Sequence, residues 1–167
     1  MDFSEIIGQE HIKSHLTKTV KNARIPHTQL FIGKAGSGVL PIALSYAKEI
    51  LCHSHAKGSD EYISCKNKID KLSHPDLHFV YPVNTNETIK KNPVSDNFST
   101  EWRKFVLKNP YGSLYDWYQF IGIERKQGNI NKHEAVSISK KLSLKAYEGG
   151  YKLMIIWMAD KMNNECS

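Results

Sequence analysis

The chain has no apolar run long enough to span a bilayer. Its most apolar stretch, Leu153-Met154-Ile155-Ile156-Trp157, falls far short of the roughly 20 residues a spanning helix needs. It is poor in cysteine. Cys52, Cys65 and Cys166 form an odd and widely spaced set, which argues against a disulfide framework and reads as free thiols in a reducing compartment. The opening Met1-Asp2-Phe3-Ser4-Glu5 lacks the basic region and apolar stretch of a signal peptide, so a cytoplasmic location is the expectation. Long basic runs are missing too. The net charge is +6, but the lysines alternate with acids and cluster only in pairs such as Lys90-Lys91 and Lys140-Lys141. A solvated basic surface follows more readily than a nucleic-acid face. Internal repeats and low-complexity tracts are absent.

What remains is the composition of one globular α/β domain: 167 residues, 40% hydrophobic and 24% charged. Residues 4–22 read as a surface helix, with Ile12, Leu16 and Val20 on one stripe and Lys13, Lys18 and Lys21 on the other faces. Thr28 to Ile32 reads as a strand, followed by a glycine-rich turn and a helix carried by Ile42, Ala43, Tyr46, Ala47, Ile50 and Leu51. Pro41 fits the first turn of that helix, where no intrahelical partner is lost. A polar stretch from Cys52 to Ser73 leads to a second strand at 77–81. Residues 84–130 read as an aromatic-rich insertion: a loop to 98, then Trp102, Phe105, Tyr111, Tyr115, Trp117, Tyr118 and Phe120 on two short helices divided by the turn Asn109-Pro110-Tyr111-Gly112. Residues 132–145 read as helix again. Gly149-Gly150 then breaks the chain before a buried parallel strand at 152–157.

Gly33-Lys34-Ala35-Gly36-Ser37-Gly38-Val39-Leu40 has the strand-to-helix setting and glycine spacing of a phosphate-binding loop, G-x-x-x-x-G-K-[ST]. In such a loop Gly33, Gly36 and Gly38 would turn backbone N–H groups toward phosphate. The following lysine neutralises charge, and the next hydroxyl holds magnesium. Those two places are Val39 and Leu40, and Lys34 lies five positions too early to stand in. The second apolar strand of a P-loop enzyme ends in acids, whereas here Trp157 and Met158 follow Ile156, and Asp160 lies beyond them. Four substitutions at two separated places predict a retained fold without hydrolysis, its glycine loop vestigial and ATP binding weak or absent. Three glycines alone would read as a plain connection.

Three further motifs add to this: Ile6-Ile7-Gly8-Gln9-Glu10-His11, then Arg24-Ile25-Pro26-His27 before Leu30-Phe31-Ile32-Gly33, then Lys71-Leu72-Ser73-His74-Pro75-Asp76-Leu77. Their order and spacing resemble the delta-prime subunits of the bacterial DNA polymerase III clamp loader. The resemblance implies a three-layer α/β P-loop NTPase fold of the AAA+ kind with a parallel sheet. It implies a place in a hetero-oligomeric ring of clamp-loader subunits within the polymerase holoenzyme, acting on the sliding clamp and primed DNA during replication. Ile6, Ile7 and Gly8 match the segment that in active relatives lies beside the adenine.

Two departures stand out. The family often carries a four-cysteine zinc module after the loop helix, but only Cys52 and Cys65 fall there. Cys52, His53, His55 and Cys65 would be the alternative ligand set, against free thiols and solvated histidines, and no zinc is expected. The lid and collar domains of the family are not represented, so residues 1–167 read as a partial AAA+ domain. By resemblance a further strand belongs between 28–32 and 152–157, which predicts a gap there and a marginal fold. Two other readings share the motifs: an ATPase using Lys34 or a partner's lysine, and an AAA+ helper of another DNA transaction.

Overall fold

A computed structural model describes residues 1–148 and 150–164. Its centre is α2 (Val39–Cys52), nearly all of whose residues are buried. A helix apolar on all sides must be covered on all sides, and its neighbours do this. On one flank Leu16 and Val20 of α1 (Glu10–Lys21) pack with Ile42, Tyr46 and Ile50. On another, Cys65 and Ile69 of α3 (Asp60–Asp70) pack with Ala47, Leu51 and Leu77. Lys48 is the charged exception. Its ammonium is buried but reaches Asp70 at 2.6 Å and Asp2 at 3.0 Å. Burial pulls the Lys48 pKa down, yet the hydrogen bonds to Asp70 and Asp2 outweigh it and hold the group above its ordinary value.

The sheet is one parallel pair, β1 (Leu77–Val80) and β2 (Leu153–Ile156), in the register Leu77 with Leu153 through Val80 with Ile156. Parallel neighbours need a long crossover. Here it contains α4 (Ser99–Lys108), α5 (Leu114–Phe120) and α6 (Lys132–Ser143). The expected pair of short aromatic helices over the domain is α4 and α5. They bring Trp102, Phe105 and Trp117 onto Tyr81, just past the end of β1, with the Tyr81 and Trp102 rings stacked at 4.1 Å between centroids. The Trp117 indole N–H donates to the Pro82 carbonyl at 2.9 Å, so this large polar-tipped ring is buried with its hydrogen bond made.

The α/β class and the parallel strands at 77–81 and 152–157 agree with the sequence, and among the described residues the sheet has two strands. The expected strand at 28–32 is not one. The segment alternates as a strand should, with Leu30 and Ile32 77% and 86% exposed and Phe31 turned toward Tyr46, yet it pairs with neither β1 nor β2. Alternation sets which side chains face inward, but only a neighbouring backbone makes the ladder.

Other boundaries shift for local reasons. The first helix begins at Glu10, because Gly8 and Gln9 take positive φ of 73° and 60°, outside the helical region. α6 stops at Ser143, and the Lys152 ammonium donates to the carbonyls of Lys141 and Leu144 at its end. The polar stretch 52–73 contains α3, capped by the Ser59 hydroxyl accepting from the Tyr62 N–H. The free-thiol expectation is corrected for two residues. Cys52 at the end of α2 and Cys65 of α3 form a buried disulfide, their Cα atoms 5.8 Å apart because the two helices pack side by side. Cys166 and Gly149 lie outside the described residues. No helix among those residues is long and apolar enough to cross a membrane.

Candidate functional site

Residues 33–38 lead into α2, whose N-cap is Gly38 at φ +86°; Gly36 is also left-handed, at φ +77°. Both conformations suit glycine and strain any residue with a Cβ. The Ser37 N–H closes a turn onto the Lys34 carbonyl at 3.1 Å, and the Ile42 N–H opens the helix on the Gly38 carbonyl at 2.9 Å. Residues 33–37 are exposed and Gly38 is buried. A Cβ placed on Gly33 would lie 2.5 Å from a Val39 methyl and 2.6 Å from the Ser37 hydroxyl, so these two side chains fold back over the first glycine. Gln9 donates to the Ser37 carbonyl at 2.9 Å and ties the α1 entry to the loop. Lys34 is exposed.

Leu40, near the start of α2, and Trp157, just past the end of β2, are both buried in the cluster containing Tyr81, Trp102, Phe105 and Trp117. The Trp157 ring lies 5.3 Å from that of Trp102 and 6.3 Å from that of Phe105. The crevice beyond the carboxyl ends of parallel strands is where open α/β sheets bind ligands, and here it is filled with aromatic rings. Asp160 is exposed and paired with Lys161 at 2.8 Å. Met158 follows at φ +57°.

Of the amino-terminal motif, Ile6 is buried against α2 and Ile7 is 96% exposed. The His-Pro-Asp motif joins the start of β1 to the approach to β2. The buried Asp76 carboxylate accepts the N–H groups of Tyr147 at 2.6 Å and Glu148 at 2.8 Å, and its carbonyl accepts from Leu153. The His74 Nδ1 accepts the Asp76 N–H at 3.1 Å, and its Nε2 lies 3.2 Å from Glu148, which also pairs with Lys68. Burial lowers the His74 pKa against the pull of Glu148 and Asp76, consistent with a neutral ring carrying its proton on Nε2.

A family model described as DNA polymerase III, delta subunit, matches residues 8–167. The chain belongs to this family. It is 37% identical over 76 residues to the DNA polymerase III subunit delta' of Bacillus subtilis (strain 168), a stretch covering 44% of this chain and 22% of that protein. It is 40% identical over 50 residues to the DNA polymerase III subunit tau/gamma of Haemophilus influenzae (strain ATCC 51907 / DSM 11121 / KW20 / Rd), covering 30% of this chain and 7% of that protein. The chain therefore spans less than a quarter of the length of these curated relatives. No solved structure matches.

The zinc module expected of many family members finds no fitting ligand set here. Cys52 and Cys65 are bonded to each other and buried, so they present no thiolates. His53 is exposed, and no group of three or more His, Cys, Asp or Glu converges among the described residues. Sequence reasoning missed Gln9 and Tyr111 as neighbours of the loop. The turn holding Tyr111 is visible in the sequence, but its approach to Gly38 depends on tertiary packing.

Proposed function

We propose that this chain is the AAA+-like part of a delta-prime-type clamp-loader subunit that does not hydrolyse ATP. On this reading it serves, in the cytoplasm, as a structural member of a ring whose other subunits supply the turnover that loads the sliding clamp onto primed DNA. Gly33, Gly36 and Gly38 are then the remnant of a phosphate loop. One observation carries the reading: Leu40 and Trp157, at the two places where magnesium chemistry would need a hydroxyl and an acid, share one dry aromatic core. A metal-bound polyphosphate needs charged and hydroxyl ligands, and an aromatic core offers neither. Loss of hydrolysis with the fold kept suits a subunit whose contribution lies in its contacts with neighbours.

The test uses the full-length parent protein with the ATPase subunits of its clamp loader. It should co-purify with them and raise clamp loading while adding no ATP turnover of its own. Turnover by the purified parent alone, abolished by Lys34→Ala, would instead establish an enzyme with a variant loop.

A further inference from the structure

Cys52 ends α2 and Cys65 lies midway along α3, and the two bonded residues are only 2% and 1% exposed. Around the bond, Cys65 and Ile69 pack on Ala47 and Leu51. The charged ties of α3 run in three directions: Asp70 to Lys48 of α2 at 2.6 Å, Lys66 to Asp2 at 3.2 Å, and Lys68 to Glu148 on the approach to β2. Packing and ion pairs of this kind open and close with local fluctuations. A disulfide opens only by chemistry. That chemistry needs access, and the bond offers little. Cys52 borders a cleft of about 40 Å3 with His53, Lys57, Tyr62 and Lys66, which has room for a few waters and none for a dithiol. A thiolate can therefore reach the sulfur only when α3 shifts off α2.

We propose that the Cys52–Cys65 bond is a redox latch on α3. While the bond is closed, the packing that it secures keeps reductant out. When α3 lifts, one thiolate of a dithiol reductant attacks the Cys52 sulfur from the cleft side, and the electron pair of the broken S–S bond leaves on Cys65, which takes up a proton. The reductant's second thiolate then attacks its own sulfur in the mixed disulfide, and Cys52 departs as a thiolate that is protonated in turn. The protein gains two electrons as two thiols, and the dithiol is oxidised to a cyclic disulfide. α3 is then held by reversible contacts alone. It can leave α2 locally, taking Asp70 from Lys48 and Lys68 from Glu148.

The test uses the full-length parent protein. Dithiothreitol is added over a series of urea concentrations, samples are quenched with iodoacetamide, and alkylation of the peptides containing Cys52 and Cys65 is followed by mass spectrometry. Reduction should be at least a hundredfold slower in the native protein than in the unfolded one. Ile69→Ala, which removes packing of α3 on α2, should speed native reduction at least tenfold. Amide exchange reads what the latch holds: on reduction, exchange at Cys65, Lys66 and Ile69 should rise at least tenfold more than exchange at Leu16 and Val20 of α1. Native reduction as fast as that of the unfolded chain would overturn the shielding. Equal rises in α1 and α3, or none in α3, would show a staple of the whole domain in place of a latch. Both wild-type measurements decide the matter even if Ile69→Ala fails to fold.

Discussion

The carboxylate of Asp76 accepts the backbone N–H of Tyr147 at 2.6 Å across 71 residues of sequence. With the neighbouring bond from Glu148, one buried side chain anchors the approach to β2 at the foot of β1. The register of the parallel pair begins at that point, with Leu77 opposite Leu153.

Replacing Asp76 by alanine removes a charged acceptor from two part-buried backbone N–H groups. Hydrogen bonds to charged groups contribute about 1.5–3 kcal/mol each, so a loss of roughly 3–5 kcal/mol is expected after partial rehydration of the freed amides. Asp76→Asn, which keeps one acceptor, should lose about half as much. Urea denaturation checks both, and an alanine variant within about 0.5 kcal/mol of wild type would show that the anchor is dispensable.

The Cys52–Cys65 bond closes a loop with a sequence separation of 13. A loop of that length constrains the unfolded chain by about 3 kcal/mol, so reduction, or the paired change of both residues to serine, should lower stability by roughly that amount. Maleimide should label neither cysteine in the folded, unreduced chain and both after reduction and unfolding. Labelling of Cys52 and Cys65 without reductant would remove the covalent link from the account of how α3 is held.

Glu134 is 1% exposed, with one carboxyl oxygen accepting the Ser95 N–H at 2.6 Å and the other unpartnered. Burial raises its pKa against the Ser95 hydrogen bond and the attraction of Lys141, while Asp96 adds to the rise. The folded state thus holds this proton more tightly than the unfolded state does. Its contribution is favourable below the ordinary value of 4.5 and is lost as pH rises through the higher folded pKa. Asp2 and Asp70 act in the opposite window. For each, burial is outweighed by hydrogen bonds, Asp2 to Lys48 and Lys66 and Asp70 to Lys48 and the terminal amine, and the pKa is lowered. Their support is therefore lost as pH falls through their folded values. Glu134→Gln should gain stability relative to wild type at pH 7 to 8 and lose that advantage near pH 4, seen as converging denaturation midpoints. A constant offset across that range would show that Glu134 titrates as it does in the unfolded chain.

How far the sequence carried the fold follows from which interactions were local. α2 is legible because its apolar residues cover every face, and β1 and β2 because short apolar runs are bounded by breakers. α3 lies in a polar stretch, yet its signals are present: Ser59 as cap, Asp60 and Glu61 in the first turn, and Tyr62, Cys65 and Ile69 spaced along one face. The segment 28–32 misleads because its pattern specifies facing and no pairing. The identities of Leu40 and Trp157 could be read directly, whereas their burial in one cluster with Trp102 and Phe105 could not. Tyr111 over Gly38 and Cys52 beside Cys65 also depend on distances that no periodicity encodes.

The placement of tryptophan gives the molecule an intrinsic optical probe. The sequence has three tryptophans, and Trp102, Trp117 and Trp157 are all buried in the one aromatic cluster. Neighbouring indoles in a dry site emit at short wavelength and are shielded from aqueous quenchers. The fluorescence of this chain therefore reports one event, the seating of α4 and α5 on the ends of the sheet, and is blind to the packing of α1 against α2. A red shift that precedes loss of helical circular dichroism would mark the insertion lifting away while the rest of the chain stays folded.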